Sequence, residues 1–119
     1  MKQNISKNQV LSLNDKQYVG LLNALYGTDH KIENLSRGSA GCDFGNEDGY
    51  FTSALETRTN IGKMIEILGN KLCSIHPLYE EDGESDKLCW WEVIVNGKTM
   101  RMIELCDALF EAIKEVFNV

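Results

Sequence analysis

No apolar run in this chain of 119 residues approaches the roughly 18–20 residues that a membrane-spanning helix requires. The first residues, Met-Lys-Gln-Asn-Ile-Ser-Lys-Asn, lack the apolar core of a secretory signal. Together these absences predict a soluble, intracellular protein with no membrane partner. Base is also scarce: 12 Lys and Arg stand against 18 Asp and Glu, for a formal charge of -6. Phosphate contacts need clustered Lys and Arg, so direct nucleic-acid binding is excluded as an expectation. Disorder is excluded by composition, because 43% of the residues are hydrophobic, enough to build a packed core. The length fits one domain over 1–119, with no internal repeat and no interdomain linker.

What charge there is falls unevenly. Up to Leu78 acids and bases cancel, whereas residues 79–119 hold ten acids against four bases, Lys87, Lys98, Arg101 and Lys114. Glu80, Glu81, Asp82, Glu84 and Asp86 crowd one acidic turn, and Glu104, Asp107, Glu111 and Glu115 follow near the C-terminus.

Periodicity predicts helices first. Ser6 caps a short turn over Lys7 to Leu13, and Asn14 or Asp15 caps a helix reaching Tyr26. Tyr18, Leu21, Leu22 and Leu25 share one face of that helix, and Gly27 ends it. Gly20 in its middle costs about 1 kcal/mol relative to alanine. Residues 28–49, with four glycines between Arg37 and Gly49, read as a long loop or a set of turns. Residues 50–57 read as a short strand. Thr59 or Asn60 caps a further helix through Leu68, with Ile61, Met64, Ile65 and Leu68 as its buried stripe.

Lys71 to Tyr79 then reads as a strand that Pro77 demotes to an edge or a bulge. Leu88 to Val95 alternates clearly, with Trp91, Val93 and Val95 on one face and Trp90, Glu92 and Ile94 on the other. Asn96-Gly97 is a strong two-residue hairpin signal, with Lys98 to Met102 returning antiparallel. The last helix spans about Ile103 to Phe117, with Leu105, Leu109, Ala112, Ile113 and Val116 on one face. The expected fold is α+β: N-terminal helices, then a small antiparallel meander packed by a C-terminal amphipathic helix.

Candidate chemistry is sparse. Cys42, Cys73, Cys89 and Cys106 are expected as reduced thiols, with the last three as small buried hydrophobes. Cys73-x-x-His76 has chelating spacing, and Cys89 and Cys106 complete a possible set of four. No second closely spaced pair follows, so no metal and no cofactor are expected. Asp43-Phe44-Gly45 matches a kinase tripeptide by coincidence, and the surrounding acids fail the calcium-loop pattern. His30 and His76 lack a third group to orient them for nucleophilic catalysis. No catalytic residue is assigned, and an enzyme is not expected.

Three segments carry a resemblance. They are Asn60-Ile-Gly-Lys-Met-Ile-Glu-Ile-Leu68, Cys89-Trp-Trp-Glu-Val93, and Glu104-Leu-Cys-Asp-Ala-Leu-Phe-Glu-Ala-Ile-Lys-Glu-Val116. Residues 60–119 resemble small accessory proteins encoded by phages and prophages of Firmicutes. The resemblance implies a phage accessory gene, with no reaction and no catalytic residue to carry over.

The functional expectation is therefore a small binding protein acting on a host or phage protein with a basic surface, possible targets being host defence or nucleic-acid processing. Its site residues are Glu80, Glu81, Asp82, Glu84, Asp86, Trp90, Glu104, Asp107 and Glu111, read as one negative face with an aromatic anchor. The alternative is a sponge or sensor for a nucleotide-like molecule, which requires Arg37, Arg58 and Lys63 to converge.

Overall fold

The computed structural model describes residues 2–29, 55–82 and 85–118, and from 80 to 89 the strand backbone is what is described. Helix α1 (Lys7–Ser12) and helix α2 (Asp15–Tyr26) begin the chain. Each opens with a reciprocal capping box, Ser6 with Gln9 and Asn14 with Gln17, satisfying amides that a helix start otherwise leaves orphaned. Tyr18, Leu21 and Leu22 are buried and Leu25 partly so, as their spacing predicts. The loop expected over 28–49 lies outside the described residues from residue 30 onward, as do Arg37, Cys42 and the Asp43-Phe44-Gly45 tripeptide.

The strand expected over 50–57 is corrected where it is described: residues 55–58 form a helical turn. Leu55 is fully buried and its carbonyl accepts from the Thr59 amide at 2.9 Å. Asn4 Nδ2 donates to the carbonyls of Glu56 and Thr57, so the turn's outward acceptors are satisfied by the N-terminal segment rather than by a neighbouring strand.

Helix α3 (Ile61–Leu68) is capped by Asn60, whose side chain accepts from the Lys63 amide at 2.8 Å. Met64 and Leu68 are buried, but Ile65 is exposed, and Ile67 instead packs partly against the core. The helix is therefore rotated slightly from the expected stripe. A 3-10 turn (Gly69–Lys71) leads into the sheet.

Strands β1 (Leu72–Asp82), β2 (Ser85–Val95) and β3 (Lys98–Met102) form an antiparallel sheet in chain order. Asn96 and Gly97 both take positive φ, 50° and 76°, as the tight hairpin between β2 and β3 requires. Ile75, Val93 and Met100 are register partners on the inner face. The acidic turn expected over 80–86 is also corrected. The β1–β2 ladder continues through Asp82 and resumes at Ser85, since each added pair satisfies further backbone amides and carbonyls. Two bulges interrupt it, one at Cys73 on β1 and one at Cys89 on β2, where Leu78 faces Trp90 and Tyr79 faces Leu88. β3 stops at Met102 opposite Trp91, so among the described residues β1 and β2 run on as a two-stranded arm.

Helix α4 (Leu105–Phe117) begins two residues later than periodicity suggests, with Glu104 as its N-cap and Ile103 outside it. It packs on β2 and β3 and is also covered by α2 and α3. That double coverage buries Cys106, Ala108 and Phe110 in addition to the predicted stripe. The outcome is the expected α+β fold, with α4 as its central helix. Among the described residues no helix is long and apolar enough to cross a membrane.

Candidate functional site

Adjacent strand residues face opposite ways, and this separates the two tryptophans. Trp91 packs against the core beside Val93, whereas Trp90 is 46% exposed on the outer face. Just past Trp90 the chain leaves β3 and bends into α4, which brings Met102 and Ile103 alongside. Ile103 is 76% exposed and Met102 37%. With Arg101 and Asp107 these residues line an open, mainly apolar groove of about 570 Å³ at the base of the arm. Isolated exposed apolar side chains are ordinary, but three sharing one concavity make a candidate contact surface.

One strand residue back, His76, Glu92 and Arg101 stand in register across β1, β2 and β3. Arg101 Nε–H donates to Glu92 Oε2 at 2.7 Å, and His76 Nε2 lies 2.6 Å from Oε1. Glu92 is only 8% exposed. The Arg101 hydrogen bond holds its carboxyl below the ordinary range; burial opposes that shift and His76 adds to it. The row fixes the Arg101 side chain where it meets the groove.

The acids of α4 are engaged by neighbouring groups. Glu104 Oε2 accepts from the Lys2 backbone N–H at 3.2 Å. Asp107 Oδ1 lies 2.6 Å from Lys2 Nζ and accepts from Gln9 Nε2 at 2.9 Å. Glu111 lies 3.5 Å from Lys114 and Glu115 2.6 Å from Lys98. Because Glu115 meets the first residue of β3, α4 runs back from the groove towards the hairpin, away from the arm. The groove thus unites Trp90 with Asp107, with Glu104 beside it in the chain, while Glu111 lies further along α4. Glu80, Glu81, Asp82 and Asp86 occupy ladder positions at the far end of the arm, and Glu84 lies outside the described residues.

Among the described residues the remaining candidates do not converge, and the side chain of Cys89 lies outside them. Cys73 is exposed, which corrects the expectation of a buried thiol: the bulge takes it out of the ladder. Cys106 is buried, and burial raises its thiol pKa. His76 is engaged by Glu92 rather than by a thiol. No group of three metal-ligating side chains occurs among the described residues. His30 lies outside those residues. Arg58 sits over the Tyr26 ring at 5.1 Å, and Lys63 pairs with Glu66.

Sequence reasoning missed Arg101, Met102 and Ile103 as site residues. Their signal was an apolar pair, Met102-Ile103, at a strand-to-helix junction, one residue beyond the helix stripe. No family model, curated protein or solved structure matches the chain.

Proposed function

We propose that this chain is a small non-enzymatic binding protein, of the phage and prophage accessory class its segments resemble, that engages a host or phage protein with a basic surface in the bacterial cytoplasm. Inhibition of a defence or nucleic-acid-processing protein is the action this reading favours. The supporting observation is the groove of Trp90, Met102 and Ile103 at the base of an arm whose sequence from 80 to 87 holds five acids and one lysine. An aromatic anchor beside a charged segment combines contact area with electrostatic steering. The acids of α4 contribute less, because Lys2, Lys98 and Lys114 already meet three of them. Charge reversal at Glu80, Glu81, Asp82 and Asp86 is expected to weaken partner capture from an infected or lysogenic host, and added salt to weaken wild-type capture. Capture unchanged by the reversal refutes the electrostatic reading.

Arg101 beside Trp90 in the groove favours the second reading, a sponge or sensor for a nucleotide-like molecule. Its guanidinium is already bonded to Glu92, which lowers its value for an anion. A thermal shift on adding nucleotides favours this second reading; a protein binder gives none.

A further inference from the structure

We infer that the partner's contacting segment is an extended basic strand that adds to β2 along Ser85–Trp90, continuing the lane that β3 leaves at Met102. This rests on the binding reading above and specifies its mode. β3 pairs with β2 only from Trp91 to Val95. From Trp90 back to Ser85, β2 has β1 on one side and, among the described residues, no strand on the other. At roughly 3.3 Å per residue that open edge is about 17–20 Å long, room for a strand of about six residues.

Three observations select this edge and its occupant. First, the groove lies where the lane resumes after β3, so an apolar side chain of the incoming strand meets Trp90, Met102 and Ile103 as it pairs. Backbone pairing with side-chain pockets at intervals is how strand addition combines affinity with selectivity. Second, the other edges are blunted further than this one, whose own irregularity is the single bulge at Cys89. β1 carries Pro77, which has no N–H, and the bulge at Cys73, while β3 is short and carries Lys98 and Arg101. Third, the stretch from 80 to 87, with Glu80, Glu81, Asp82, Glu84 and Asp86 against Lys87, complements a basic strand and repels a second copy of itself.

The test uses the full chain and a synthetic peptide alternating lysine with threonine around one central leucine. A second peptide of identical sequence carries N-methyl groups on alternate backbone amides. The edge-facing amides within 85–90 are expected to exchange rapidly in the free chain. The first peptide should slow them by about tenfold or more, and N-methylation should weaken binding by a similar factor. Equal binding of the two peptides overturns strand addition and leaves the basic-partner reading standing; binding of neither overturns both. Slow exchange in the free chain shows the lane already filled and overturns the inference. Dimerisation in sedimentation that protects the same amides assigns the edge to a second copy and overturns it too.

Discussion

The Lys2 ammonium lies 2.6 Å from the Asp107 carboxylate, tying the start of the chain to the first turn of α4. Lys2 Nζ also donates to Gln9 Oε1, and Gln9 Nε2 donates to the same Asp107 oxygen, so three side chains brace one another. Asp107 additionally faces the positive end of the α4 dipole. Replacing Lys2 with methionine keeps the side-chain length and removes the charge. The expected loss is about 0.5–1 kcal/mol, as for a partly exposed ion pair, shrinking with added salt. Denaturant midpoints at low and high salt measure it, and a salt-independent loss assigns the effect to packing.

Gly20 occupies the middle of α2 because Phe117 of α4 lies against it. A Cβ built at Gly20 comes within 2.6 Å of Phe117 Cδ1 and 2.7 Å of Cγ. On propensity alone, Gly20→Ala gains about 1 kcal/mol. The overlap reverses the sign, because the ring must move and forcing atoms into a packed contact costs about 1–3 kcal/mol. A net loss of about 1 kcal/mol is expected, recovered when Phe117→Ala is combined with it. Equilibrium unfolding of the two single variants and the double variant checks this, and additive losses refute the contact.

These contacts mark where periodicity runs out. Capping residues, the Asn96-Gly97 turn and the alternation of β2 were legible because local backbone chemistry decides them. The burial of Trp91 and exposure of Trp90 followed from that alternation together with packing. Long-range partners were not legible. Nothing near Gly20 in the chain announces Phe117, and nothing near Asp107 announces Lys2. Without the second, the α4 acids read as an open face. The helical turn over 55–58 was misread because its acceptors are satisfied by Asn4, some fifty residues away. The groove was half legible: Trp90 stood out, whereas Met102 and Ile103 take their place from the bend between β3 and α4.

The two tryptophans predict a clean separation of stability from binding. Trp91→Ala removes a ring packed on the core and is expected to cost about 2–4 kcal/mol. Trp90→Ala removes a half-exposed ring, and the expected cost is at most about 1 kcal/mol. Only the Trp90 change should abolish capture by a groove-bound partner while leaving the melting transition nearly intact. Acrylamide quenching of the single-tryptophan proteins checks the placement: Trp90 should quench readily in Trp91→Phe, and Trp91 poorly in Trp90→Phe.

Glu92 sets the acid limit that the sheet's outer face imposes. Its carboxyl titrates below the ordinary 4.5, first because Arg101 hydrogen-bonds to the charged form, with burial opposing and His76 assisting. In the unfolded chain the same group returns to the ordinary value, so between the two values the unfolded state binds more protons than the folded one. Stability from this group is therefore complete above about pH 4.5 and is lost as pH falls through the depressed folded value. Glu92→Gln lacks that titration. The gap in melting temperature between wild type and variant should be widest near neutral pH and narrow steadily below 4.5. Arg101→Met removes the main cause of the depression, so the folded and unfolded values draw together and the acid loss from this group should be smaller than in the wild type. Melting curves from pH 7 to about 3 decide it: a gap that stays constant across the acid range removes Glu92 from the titration and with it the ionic character of the His76–Glu92–Arg101 row.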